Sequence, residues 1–472
     1  MECLSKNNYD YLNKLLIALM LLLNVRNVNA QLPIVHLYSD NTLSTEFTSG
    51  SFCLDDTIFT NADIRYRGAS ALNKTKKSFA IKLKTENGDK LDTALLGMRS
   101  DNSWILDAMA IDVARMRNRV SMDLWNDFSS ASYIKSKETN ALNGTRGRFV
   151  ELYLNDEYRG LYCLSEKIDR KQLKLKKNRG KELKGALYKS FTWSTLFSQD
   201  DEFYLYDNSN TRWNGWEISY PEIEPDGPAD WGPLSEMIHW LSYAKDEELS
   251  DSLLYKIDIP VWQDYFLLME FICAEDNICK NQYVYFYNAS KENKMLGVAP
   301  WDMDHSWGRD YGGRITSYTD ANHNLITTYN QVGQLLINKE YLLEKSNKER
   351  YAELRLTFFE PENLKSRFKA YFTLFKESGA ASREQERWSG IDGIVLDFEA
   401  EQEYICEWID NRTRYMDKKY DYIESFISNT TQSPTSSSTA IFNMNGQLVR
   451  LGPSLQTLPH GIYLINGKKL IK

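Results

Sequence analysis

The hydrophobic period changes along this chain, and that change constrains the fold more than any other feature. Ala62 to Arg67 alternates apolar and polar residues, and so does Lys76 to Lys84, where Phe79, Ile81 and Leu83 share one face. A period of two describes strands with one buried side. The polar stretch Gly68 to Thr75 turns between them, and residues 31–60 are strand-like and rich in Thr and Ser. Trp104 to Leu106 reads as a short strand, followed by a helix over Ile111 to Trp125. Phe149 to Leu154 and Arg159 to Leu164 flank the turn Asn155-Asp156-Glu157 as a hairpin. From Asp258 the period lengthens. Pro260 falls in a first helical turn, where its missing N–H costs nothing, and Trp262, Tyr265, Phe266, Met269, Ile272 and Cys273 repeat at helical spacing. That helix is expected to end near Glu275. Gln282 to Tyr287 and Met295 to Ala299 are two further strands, and beyond Glu340 the chain turns helical, with a long segment from Asp397 to Ser425. Strands early and helices late predict an α+β fold.

The termini carry different signals. Lys6 and Lys14 precede the apolar run Leu15 to Leu23, and a polar stretch then ends at Val28-Asn29-Ala30-Gln31. A basic start, a short apolar core and a small residue before the cut describe a secretory signal peptide over 1–30, cleaved after Ala30. The run is short for a bilayer span, and no later segment is long and apolar enough for one. Residues 429–439 (NTTQSPTSSST) form a Ser/Thr linker. The last stretch, 440–472, is β-like, turn-rich and too small to be stable by its own core. Export is therefore expected, to the cell surface, the medium or the periplasm.

Composition narrows the function. A net charge of −8 excludes a nucleic-acid-coating role. Of six cysteines, Cys53, Cys163, Cys273, Cys279 and Cys406 lie beyond the signal, an odd number with no Cys-x-x-Cys pair. That excludes a zinc ribbon and a disulfide scaffold. Cys273 and Cys279 are either paired across a loop or buried free thiols.

The chemistry concentrates between Glu275 and Asp310. Asp276 follows the helix, Asn281 lies five residues on, and after two strands comes Pro300-Trp301-Asp302-Met303-Asp304-His305-Ser306-Trp307-Gly308. Phosphoryl transfer needs this order. A carboxylate after a rigid helix orients or deprotonates a hydroxyl, and an amide oxygen and a second carboxylate hold a hard cation against the phosphates. Oxygen donors select Mg²⁺ or Mn²⁺ over zinc. Asp-x-x-x-x-Asn occurs by chance in most long chains. The order helix, Asp, Asn, strand, strand, Asp-x-Asp is far more specific.

Four segments in order resemble the CotH (spore coat protein H) kinase family: IRYRGASALNKTKKSFAIKLK (64–84), WILDAMAIDVARMRNRVSMDLW (104–125), VELYLNDEYRGLYCLSEKIDR (150–170), and DNICKNQYVYFYN with PWDMDHSWGRD (276–310). The resemblance spans residues 31–428. It implies an atypical protein-kinase-like fold with a strand-rich N-terminal lobe and a helical C-terminal lobe. It also implies Mg-dependent transfer of the ATP γ-phosphate to Ser or Thr of an exported or surface protein. Carried across, Asp276 is the catalytic-loop aspartate, Asn281 its metal-binding asparagine and Asp302 the metal-binding aspartate, with Asp304 sharing the metal or orienting the loop. For the phosphate-binding cation, Lys82 in Phe79-Ala80-Ile81-Lys82 comes first and Lys77 second. Arg67 stands where kinases have a glycine-rich loop, but with Gly68 alone where they have several glycines. Glu166 and Asp169 stand where kinases contact adenine or ribose. No glutamate on the 111–125 helix matches the usual lysine partner, which puts the usual lysine–glutamate switch in doubt. The end of the chain resembles the C-terminal sorting tails of secreted Bacteroidetes proteins, which implies engagement of outer-membrane secretion machinery. A small β-hairpin cap is the other reading of that stretch. Two rival functions stay open at this point: a catalytically silent surface adhesin of the same fold, and a secreted glycosidase using two of the carboxylates.

Overall fold

Seven strands that alternate inside and outside close on themselves in the N-terminal part of the computed structural model. It describes residues 31–423, apart from 181, 193–205, 222–229, 292–293, 320–325 and 327–329, and the backbone of four short strands between 440 and 471. The expected signal peptide and Ser/Thr linker lie outside the described residues. The chain divides into two units, one ending at Tyr422 and one starting at Ile423.

In the first unit, β1 (Ile34–Tyr38), β2 (Thr48–Leu54), β3 (Ile58–Arg67) and β4 (Ser78–Lys84) run antiparallel in sequence order. A small ladder of β5 (Thr93–Ala94) and β6 (Ser100–Asp101) follows, then β7 (Ser103–Asp107) and the hairpin of β8 (Gly147–Leu154) and β9 (Glu157–Ser165). The order β1-β2-β3-β4-β7-β9-β8 closes when β1 pairs in parallel with β8, Val35 opposite Leu152. Closure leaves no open edge. Alternate residues fill the interior, among them Val35, Phe52, Ile64, Phe79, Ile81, Leu83, Trp104, Val150 and Leu164. The alternation read from the sequence is thus the inside–outside pattern of a barrel.

The expected helix over 111–125 starts only at Arg117 and runs Arg117–Phe128. The Asp112 carboxylate accepts the N–H groups of Ala114, Met116 and Arg117 at 2.9, 2.7 and 2.7 Å, and Arg115 adopts φ +57°. These contacts hold a tight turn where a helix would otherwise begin.

A second, five-stranded antiparallel sheet has the order β11-β12-β10-β13-β14. Its strands are β10 (Ala186–Ser190), β11 (Arg212–Trp213), β12 (Trp216–Tyr220), β13 (Gln282–Phe286) and β14 (Leu296–Pro300). One face joins Ile105 of the barrel in an apolar cluster with Leu187, Tyr283, Tyr285, Ala299 and Trp301. The other joins the large helical core through Ala186, Tyr188, Val284, Phe286 and Val298.

At the centre of that core lies the Ile259–Phe271 helix, buried along its length from Val261. Its polar residues are answered from neighbouring elements. Asp264 meets Arg350 at 2.7 Å, and Glu270 accepts from Tyr420 at 2.5 Å. Asn347–Arg355, Pro361–Glu377, Ala380–Trp388 and Phe398–Lys419 are the late helices, the last capped by Asp397 at Ala400 N–H. Mixed helix and strand accord with the α+β expectation. No disulfide joins the described cysteines, Cys273 and Cys279 included. Among the described residues no helix is long and apolar enough to cross a membrane.

The second unit, taken by itself, pairs β15 (Ala440–Asn443), β16 (Leu448–Leu451), β17 (Ile462–Ile465) and β18 (Lys468–Ile471) in the order β16-β15-β17-β18.

Candidate functional site

The central helix ends at Phe271, four residues sooner than the period suggested, because Cys273 turns the backbone with φ +53°. A short helix, Asp276–Cys279, then presents Asp276. Asp276 is buried, with Lys280 Nζ at 2.7 Å and His305 Nδ1 at 3.7 Å. Burial pushes its carboxyl up, but the hydrogen bonds and charges of His305 and Lys280 win and hold it below the usual carboxylate range. Asp276 is therefore ionised at neutral pH.

Asn277, beside it, ties the two halves of the motif together. Its Nδ2 donates to the carbonyls of Asn281 (3.0 Å) and Trp301 (2.6 Å), and the Trp301 N–H donates to Asn281 O at 3.1 Å. The β13–β14 hairpin returns the chain so that Gln282 faces Pro300. Asn281 and Asp302 thus emerge side by side at one end of the sheet, both with left-handed backbone, φ +55° and +57°. Strain of this kind is characteristic of functional loops.

Asp302 and Asp304 are half-buried. Burial and the negative charges of Asp107 and Asp276 push the Asp302 carboxyl up, against Arg67 and Lys189, which pull it down. Asp304 is raised well above its ordinary value, first by burial, then by Asp302, Asp107, Asp112 and Asp276. Four aspartates, 107, 276, 302 and 304, therefore share one region with an excess of negative charge. Asp107 ends β7, where its Oδ1 receives Ser78 Oγ (3.3 Å) and Met109 N–H (3.1 Å), and Asn118 Nδ2 reaches its Oδ2 at 3.3 Å. Asn118 Oδ1 accepts the Met303 N–H at 3.1 Å, linking the 117–128 helix to the Asp-x-Asp loop. A cleft of about 470 Å³, open solvent included, is lined by Arg67, Asp107, Asn118, Trp301 and Asp302 among others.

The donors are oxygens and the local charge is in excess, which fits a hard divalent cation. Among the described residues no three His, Cys, Asp or Glu side chains converge as a ready metal cage. Mg²⁺ takes one or two carboxylates and completes its shell with phosphate and water.

The remaining predicted residues separate. Arg67, at the end of β3, lines the cleft with its guanidinium 5.7 Å from the Trp301 ring. Lys77 donates to Leu72 O at 2.5 Å, next to Ser78, which bonds Asp107. Lys82 lies four residues beyond Ser78, about 13 Å along an extended strand. It is exposed, with Nζ 4.3 Å from the Phe47 ring. Glu166 is buried, and its oxygens accept from Arg99 N–H (2.9 Å), Arg146 N–H (2.9 Å) and side chain (2.7 Å), and Gln172 Nε2 (3.0 Å). Arg146 and Gln172 thereby saturate it, so it anchors the end of the hairpin. Asp169 is held by Arg99 through two bonds of 2.9 and 2.8 Å.

Sequence reasoning passed over Asp107, Lys189 and His305. Each carried a signal: a carboxylate closing an apolar strand, a lone lysine inside Ala-Leu-Tyr-Lys-Ser, and one of only five histidines beside Asp304.

A family model described as CotH kinase protein matches residues 64–416. The inner spore coat protein H of Bacillus subtilis (strain 168) is 22% identical over 354 residues, covering 75% of this chain and 86% of that protein.

Proposed function

The chain belongs to the CotH kinase family, and from that premise we propose that it is an exported protein kinase. It transfers the γ-phosphate of ATP to a Ser or Thr hydroxyl of another exported or surface protein, with Mg²⁺ or Mn²⁺. The barrel and the sheet-plus-helix region act as the two lobes, and ATP enters the cleft lined by Arg67 and Asp302. Residues 31–428 carry the reaction. Residues 1–30 direct export, and 440–472 serve as a sorting tail for outer-membrane secretion machinery.

The observation that carries the reading is the Asn277 side chain, which bonds the carbonyls of Asn281 and Trp301. It fastens the loop of Asp276 to the loop of Asp302, so an ionised carboxylate and hard oxygen ligands are held in fixed relation. Preorganisation of this kind is most of what phosphoryl transfer asks of a protein. Asp276 accepts a hydrogen bond from the substrate hydroxyl, orients its oxygen and takes its proton. Lys280 and His305 keep Asp276 ionised and aimed. Arg67 sets positive charge against the phosphates. Asp302, Asn281 and Asp304 are the residues that would hold the cation, which when bound neutralises charge building on the phosphate oxygens. Trp301 walls the cleft and limits water.

Incubation with γ-labelled and α-labelled ATP, Mn²⁺ or Mg²⁺ and exported candidate proteins tests the reading. Label passing to protein from the γ position alone supports it. Label from the α position means nucleotidyl transfer, and no label from either means a binding protein.

A further inference from the structure

The phosphotransferase reading leaves open which lysine answers the phosphates. We propose that Lys189 is that cation and that, with Arg67, it forms a two-pronged phosphate clamp beside Asp302. The inference rests on the reading above and deepens it.

Strand register places Lys189. Along β10, Leu187 lies opposite Tyr285 and Lys189 opposite Tyr283. Alternate residues of a strand share a face. Leu187, Tyr283 and Tyr285 belong to the face that packs against Ile105 of the barrel and includes Trp301. Lys189 is therefore on the barrel side, near the end of its strand, with Nζ 5.9 Å from the Tyr283 ring. The next residue, Ser190, accepts the Asn281 N–H at 3.2 Å. Lys189 thus stands beside the metal-binding asparagine of the proposal. Arg67 reaches the same region from the end of β3, over Trp301.

Among the described residues neither Lys189 nor Arg67 makes an ion pair within 4 Å. Glu217, opposite Lys189 on β12, pairs with Arg212 at 3.4 Å instead. Two like charges left facing each other in a half-buried wall call for an anion from outside. Asp302 is within electrostatic reach of both, as a metal–phosphate group between the three requires. Burial and the Arg67 charge also push the Lys189 ammonium below its ordinary value, which eases its reaction as a free amine. The other lysines near the cleft are engaged: Lys280 with Asp276, Lys77 with Leu72 O, and Lys76 with Glu384 at 2.6 Å.

An acyl-phosphate derivative of ATP tests the assignment on the full protein. The lysine amine attacks the acyl carbon, an amide forms, the acyl–oxygen bond to phosphate breaks, and ATP leaves while the amine loses its proton. Peptide mass spectrometry is expected to find ATP-protected label on Lys189. Lys189→Met is expected to weaken Mg·ATP binding by roughly tenfold to a hundredfold in calorimetry, with Lys189→Arg restoring most of it. ATP-protected label on Lys77 or Lys280 and none on Lys189 overturns the clamp but leaves the nucleotide site standing. Unchanged ATP affinity in Lys189→Met overturns it as well. No ATP-protected label anywhere, together with no Mg·ATP-dependent thermal shift, overturns the phosphotransferase reading and the clamp with it.

Discussion

Two clusters of buried charge differ in whether their charges close. Around Glu384 they do. Its carboxylate accepts from Lys76 Nζ (2.6 Å), Arg115 Nε (2.8 Å) and Leu161 N–H (2.7 Å), so the Ala380–Trp388 helix is fastened to the barrel. Gly160 permits this approach, since a Cβ there would fall 2.3 Å from Glu384 Oε2. Nearby, Arg117 bridges Asp112 and Glu401 and donates to Ser306 O at 3.1 Å. Around Asp304 they do not close. Asp107, Asp302 and Asp304 make no ion pair within 4 Å among the described residues, and Asp276 alone of the four is met, by Lys280 at 2.7 Å. Matched charges fasten elements to each other, whereas unmatched charges wait for a partner the chain does not supply.

Removing one member of each cluster should separate them. Glu384→Ala strands Lys76 and Arg115 without a counter-charge and should cost about 3–5 kcal/mol of stability, read from denaturant unfolding. A loss under 1 kcal/mol would mean that the clamp is incidental. Asp304→Asn should act in the opposite direction. Relief of like-charge repulsion should raise stability by roughly 1 kcal/mol in chelator, while phosphate transfer falls. Destabilisation in chelator would contradict an excess of negative charge at that site.

The matched cluster has its own pH signature. Burial, only partly offset by Glu384, pulls the Lys76 ammonium from its ordinary 10.5 down to about 7. The unfolded chain keeps that proton to a higher pH, so it binds more protons than the folded chain between these values. The contribution of Lys76 to stability therefore rises as pH climbs from about 7 toward 10 and is flat below. Thermal unfolding of wild type and Lys76→Met across that window should show the rise in wild type and its loss in the variant. The smallest effect belongs to Lys82. Because it lies on the outer wall of the barrel, Lys82→Ala should change the ATP KM by less than about twofold, against the loss expected for Lys189→Met. A tenfold rise would return the phosphate contact to β4.

The sequence made local order legible. Asp276, Asn281, Asp302 and Asp304 sit on one helix–strand–strand stretch, and a hairpin of fixed register has few ways to arrange them. The strands of the barrel were legible as alternation. Closure was not, because the parallel pairing of β1 with β8 joins segments more than a hundred residues apart. The exposure of Lys82 was hidden for a related reason. Phe79-Ala80-Ile81-Lys82 encodes a strand, but nothing local says which end of it meets the cleft. Glu166 looked available because its partners, Arg99 and Arg146, come from outside its hairpin. Lys189 became visible only through the register of β10 against β13.

The most direct test compares Asp276→Asn with wild type in two assays, γ-phosphate transfer to protein and Mg·ATP binding. Transfer should fall by about a hundredfold or more while binding holds within a few-fold, since Asp276 acts on the hydroxyl and the cleft cations hold the nucleotide. Transfer at wild-type levels would show that the carboxylate steadied by Lys280 and His305 is not the one that does the chemistry.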